Sequence, residues 1–237
     1  MNCLNCGNEF ESPFCPNCGQ KKTIKQYSLQ NIVFSELPRV LFNTDKGLLL
    51  NLKEMLLRPR SFVQGYLSGK RVKVFKPLQF AVLAITILTI VDNQFSVPIK
   101  MEVSETMTNS SGYELGTEFG RFLKSNIRYF WISGIFVFAF LNQWFFKRFN
   151  FAEHVIINGF VMGQAAFIAV LFFPIFPYPF LVNPCHLLPL WILSGIILYD
   201  KEETPIFTIL MTGITFLLGY FFIFFGPAIV MILREMS

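Results

Sequence analysis

The chain has 237 residues, of which 53% are hydrophobic and only 15% charged, against roughly 25% charged in an average soluble domain. With 30 phenylalanines and a mean hydropathy of +0.50, it carries more apolar surface than one soluble core of its 27.4 kDa can hide, and no glycine repeat or heptad supports a collagen-like or coiled-coil chain. Composition therefore predicts an all-α membrane protein, and its net charge of +5 is unevenly placed: residues 1–76 hold 12 Lys/Arg and 5 Asp/Glu, the rest of the chain 8 and 10.

The first element is a metal site. Cys3-Leu4-Asn5-Cys6-Gly7 and Cys15-Pro16-Asn17-Cys18-Gly19 are two C-x2-C knuckles separated by eight residues. A two-residue gap lets both sulfurs of a pair reach one ion, and a glycine after the second cysteine permits the positive φ of the tight turn. Four thiolates make a closed tetrahedral shell, the usual arrangement of one structural zinc. Iron in a rubredoxin-like site uses the same knuckles with a longer spacer. Residues 1–22 are thus expected to form a small zinc ribbon, with Phe10 and Phe14 covering the ion and metal binding supplying on the order of 10 kcal/mol of its folding free energy. Thiols spaced for a metal imply a reducing compartment. The polar, cysteine-rich opening is no signal peptide.

Residues 23–76 read as a basic amphipathic connector, with helical stretches near 28–42 and 47–57 punctuated by Pro38 and Pro59. In Gly47–Arg58 a helical period gathers Asn51, Glu54 and Arg58 into one narrow arc, and leucines and Met55 cover most of the remainder. So wide an apolar face suits the membrane interface or the side of a bundle. Lys70, Arg71, Lys73 and Lys76 follow, beside the first apolar stretch, where each cation gains about 1 kcal/mol from anionic headgroups. Membrane lipids explain these charges with fewer assumptions than nucleic acid does.

A hydrocarbon core takes about 20 mostly apolar residues as helix. Spans are expected at about 77–91, 129–146, 155–176, 180–199 and 206–233, five in all, with 92–128 as an outside loop. The segment 77–91 is short enough to need help from its flanks or a thinned bilayer. With the N-terminus in the cytosol, the inside segments are 1–76, Lys147-Arg148 and Asp200–Glu203, and they carry most of the Lys/Arg. The outside loop carries 4 basic and 5 acidic residues. This places the ribbon on the cytosolic, reducing side of the membrane.

Chemistry within the spans is sparse. Glu153 and His154 stand at the start of the third span, with Asn158 a turn further on, and mark a possible transport path through spans three to five. Prolines 184, 189 and 227 and the uncharged amides Asn142, Gln143, Asn158, Gln164 and Asn183 belong to the same reading. Adjacent Cys185 and His186 point about 100° apart on a helix, a poor nucleophile–base pair. Gly159-x-x-x-Gly163 permits close helix approach. No Walker loop, dinucleotide fingerprint, HExxH or GxSxG occurs, and no catalytic residue is expected.

Asp45-Lys46-Gly47, Arg58-Pro59, Tyr66-Leu67-Ser68-Gly69-Lys70-Arg71 and Pro77 together resemble an uncharacterised bacterial family seen mainly in Bacteroidota. Its members resemble this chain in an N-terminal CxxCG…CxxCG ribbon, an rP…Yl.GkR…P segment and several membrane spans. The resemblance implies architecture and compartment, and no activity. A five-span chain with a cytosolic ribbon is also loosely similar to Yip-type proteins, by span count alone. The reading that follows is a non-enzymatic membrane protein whose zinc ribbon docks a cytosolic protein partner; the alternative is a carrier of a small or lipidic substrate.

Overall fold

A computed structural model describes residues 1–22, 47–97, 111–202 and 204–235. The helix expected at 28–42 and the middle of the 92–128 segment lie outside these residues. Among the described residues there are seven α-helices and no strand. They are α1 Leu48–Leu57, α2 Pro59–Leu67, α3 Pro77–Phe95, α4 Ser111–Phe145, α5 Phe151–Phe172, α6 Pro184–Leu198 and α7 Pro205–Glu235, with a 3-10 turn at Phe180–Val182 before α6. Proline opens four of them, where its missing N–H costs nothing and its fixed φ suits the first turn. α5 starts instead on a capping box: Asn150 accepts from the Glu153 amide at 2.9 Å, and Glu153 accepts from the Asn150 amide at 2.9 Å.

Three helices are long and apolar enough to cross a membrane: α3, α5 and Pro205–Ile229 of α7. The stretch 77–91, expected to be marginal, continues unbroken to Phe95. Two other expected spans differ from the prediction. α6 has 15 residues, roughly 22 Å, because Tyr199 turns extended after Leu198. α4 is 35 residues long and begins well before residue 129, so 111–128 is helix, not loop. Asn142 and Gln143 interrupt its apolar half. A count of five spans is therefore not established.

The long helices alternate in direction. Gly159 meets Pro77 and Gly163 meets Phe80 and Ala81, so α3 and α5 run parallel. Asn142 of α4 meets Asn158, and Gly195 and Gly213 set α6 against α7 in antiparallel fashion. The GxxxG pair explains the tightest seam. A Cβ at Gly163 would clash with the edge of the Phe80 ring and lie 3.1 Å from the Ala81 amide nitrogen. The core around it is aromatic and aliphatic, with Phe80, Phe160, Ile85, Leu88, Ile157 and Met162 fully buried. At one end of the bundle Arg148 joins the start of α5 to the end of α6. At the other, Asp92 accepts from the Phe180 amide at 2.8 Å.

α1 and α2 form a hairpin against this bundle, turned at Arg58-Pro59. Tyr66 and Phe62 pack edge-on to Phe160, with ring centroids 5.1 and 5.3 Å apart. Of the polar arc of α1, Asn51 is turned inward, while Arg58 is exposed. Asn51 is fully buried, donating to the Phe75 carbonyl at 2.8 Å and accepting from the Phe75 amide at 3.1 Å. Leu49, Leu56 and Leu57 face outward, each more than half exposed. A helix that hides its amide and shows its leucines is amphipathic in the sense a lipid surface requires.

Candidate metal centre

Residues 1–22 are two similar hairpins. Asn2 pairs with Glu9, and Phe14 with Lys21, in isolated antiparallel bridges. In each knuckle the amide of the glycine after the second cysteine returns to the first cysteine's carbonyl: Gly7 to Cys3 and Gly19 to Cys15, both at 2.8 Å. That turn needs positive φ, found at +77° for Gly7 and +75° for Gly19. The turns aim four sulfurs at one point. The Sγ atoms of Cys3, Cys6, Cys15 and Cys18 all lie within 4.8 Å of one another, with Cys3 to Cys18 at 3.5 Å and Cys6 to Cys15 at 3.6 Å. A tetrahedral ion with metal–sulfur bonds of about 2.3 Å has sulfurs about 3.8 Å apart, so the donor set fits such an ion.

The electrostatics of the four thiols point the same way. Burial pushes the Cys3 thiol up, but hydrogen bonds from the Cys6 and Asn5 amides and from the Cys18 and Cys6 sulfurs outweigh it and bring it to about 6. For Cys18 the Gln20 amide favours the thiolate, yet burial and the three neighbouring sulfurs push it up to about 11. One sulfur ionises readily and the last resists, because negative charge gathers in one small volume. A divalent cation removes that penalty and all four become ligands.

Phe10 is buried against Cys3 and Cys15. Phe14 does not cover the ion: it is 53% exposed, with the Lys21 ammonium 5.9 Å from its ring centroid. Leu4 is also exposed. The ribbon is tied to the helices by Gln20, whose buried side chain donates to the Gly69 carbonyl at 3.1 Å. Gly69 opens the turn that carries the basic run. Lys70 and Lys73 are exposed there, Lys76 precedes α3 half-buried, and Lys73 adopts a left-handed φ of 63°. Arg71 lies over the Tyr66 ring at 5.7 Å and donates to the Tyr66 carbonyl at 3.4 Å.

Each residue of the expected transport path has a local partner. Glu153 is turned back to Asn150 at the helix start. His154 is buried, with Nε2 3.0 Å from the Phe146 carbonyl. Asn158 accepts from Asn142 at 3.4 Å beside a cavity of about 10 Å³, room for at most one water. His186 is enclosed edge-on by Trp131 at 4.9 Å and Phe180 at 4.7 Å.

Four residues have roles that sequence reasoning did not assign: Gln20, Asn51, Asp92 and Arg148. Arg148 pairs with Asp200 at 2.6 Å and donates to the carbonyls of Ile197, Leu198 and Tyr199, so it caps the C-terminus of α6. The Arg148 hydrogen bond in turn holds the Asp200 carboxyl below the usual carboxylate range. Only the charge of Lys147-Arg148 was visible in one dimension.

Fold and site together define a helical protein with, among the described residues, three apolar helices of membrane-spanning length and an N-terminal cluster of four cysteines that could hold a metal ion. No protein-family model, curated protein or solved structure matches the chain.

Proposed function

We propose that the protein is a docking protein of the bacterial inner membrane, holding one structural zinc in a ribbon that presents an apolar contact to a cytosolic protein partner. The observation that carries this reading is the exposure of Leu4 and Phe14 on a ribbon so small that it had every reason to bury them. Phe10 alone suffices to cover the sulfurs, so the outer pair is free for a partner, with Lys21 at its rim. Gln20 holds the ribbon on the turn after α2 and gives the contact a fixed place beside the helices. The excess of Lys/Arg in residues 1–76 supports a cytosolic N-terminus, and four thiolates in a closed shell favour zinc in a structural role.

The carrier alternative gains no comparable support: of the amides it relies on, Asn142 and Asn158 pair with each other beside a cavity of about 10 Å³, and Gln164 and Asn183 donate to backbone carbonyls. The test is cross-linking in native membranes followed by partner identification, comparing wild type, Leu4→Ser/Phe14→Ser and Cys3→Ser/Cys6→Ser. The docking reading predicts that both variants lose the same cross-linked protein, while the first keeps its zinc. An identical set of cross-links in all three would refute it.

A further inference from the structure

A groove of about 620 Å³ opens on the outer side of α6 and α7, a volume within the range of small-molecule sites. Its walls are Trp191, Ile192 and Ile196 of α6 and Ile209 of α7, and the isoleucines are about half exposed. Gly195 leaves the floor open; a Cβ there would meet nothing nearer than the Thr212 hydroxyl at 3.7 Å. From Tyr199 to Trp191 the slot runs roughly 12 Å along α6, the length of much of one acyl chain.

One end of this apolar slot is cationic. Arg60, reaching across from α2, lines the groove with its guanidinium 5.3 Å from the Tyr199 ring centroid. No carboxylate pairs with it among the described residues: the nearby Asp200 is taken by Arg148, and the Glu54 carboxylate by Arg58. The first turn of α7 stands at the same mouth through Pro205 and Thr208, so its partial positive charge adds to that of Arg60. Thr208 is buried with its hydroxyl unpartnered, a further polar group on this wall.

An unpaired guanidinium above a greasy slot has the charge pattern of an anionic amphiphile in reverse. We infer that this groove is a binding site for one anionic phospholipid, its phosphate on Arg60 at the mouth of α7 and one acyl chain between α6 and α7. Arg148 serves the site indirectly, because its hold on the Tyr199 carbonyl fixes the ring on which Arg60 lies. The site is separate from the basic run at Lys70–Lys76 and from the ribbon, and it stands or falls independently of the docking function.

Native mass spectrometry of the full chain in detergent tests it, with titration by dioleoyl-phosphatidylglycerol, dioleoyl-phosphatidylcholine or inorganic phosphate. Wild type is expected to retain one phosphatidylglycerol, to bind phosphatidylcholine about tenfold more weakly, and to keep its lipid against phosphate. Arg60→Gln should bring phosphatidylglycerol down to the level of phosphatidylcholine, while Arg60→Lys retains most of the preference. Gly195→Leu fills the slot and should abolish retention of both lipids. Equal binding of the two lipids, displacement by phosphate, or wild-type retention in Arg60→Gln would overturn the assignment. If Gly195→Leu fails to fold, the Arg60 pair still decides.

Discussion

The ribbon and the helical bundle solve the same problem, too little core for too much chain, by different means. Residues 1–22 bury only Cys3, Phe10, Cys15 and Gln20, and the turn in each knuckle aims its sulfurs. The bundle buries dozens of large side chains and closes its seam with two glycines. One region is therefore built around a cysteine cluster that could hold a metal ion, and the other is held by distributed packing. Among the described residues the Gln20–Gly69 hydrogen bond joins them. Two bodies stabilised in such different ways should fail separately, and that separation suits a docking element carried on a membrane scaffold.

The sharpest way to break the comparison is to remove the ion. Cys3→Ser/Cys6→Ser should take zinc from one per chain to none and unfold the ribbon, removing on the order of 10 kcal/mol from it. The melting temperature of the bundle should stay within error, as read by thermal unfolding in detergent. Next in size is Asn51→Ala, which strands the amide and carbonyl of Phe75 inside the protein. A loss of about 3 kcal/mol in the bundle is expected, with zinc content unchanged. Gly163→Leu should cost about 2 kcal/mol by forcing α3 away from α5, again without touching the metal.

The smallest effect concerns acid. The Asp200 carboxyl is depressed by Arg148, so its contribution is present above the ordinary value of 3.8 and is lost as pH falls through the lowered folded value. Wild type should lose its small advantage over Asp200→Asn only in that acidic window, as measured by melting temperature against pH. An advantage that vanished near neutrality would contradict the pairing.

The sequence disclosed these two regions to different depths. The metal site could be read almost completely, because C-x2-C spacing constrains local geometry and the glycines announce the turns. Its one error, Phe14, arose because a sequence shows that two aromatics are near an ion and not which of them finds room over it. α1 was readable as a polar arc and a wide apolar face suited to the membrane interface or the bundle, but not in which polar residue would be buried. In a soluble protein the amide would face water. Here the leucines face outward, and Asn51 finds its partner at Phe75, on the far side of a helix and a turn. The five-span count is not confirmed: charge and amides interrupt α4, and α6 is only 15 residues long. Asp92 read as a loop residue because its partner, the Phe180 amide, is distant in the chain. Arg60 was one basic residue among many until folding set it over Tyr199 and the α6–α7 groove.

Hydrogen exchange read by mass spectrometry, with and without a zinc chelator, tests the division into two bodies most directly. The account predicts that chelation removes amide protection from residues 1–22 while α3 and α5 exchange as slowly as before. Protection that persists in the ribbon after the metal is gone, or a bundle that opens with it, would contradict the account.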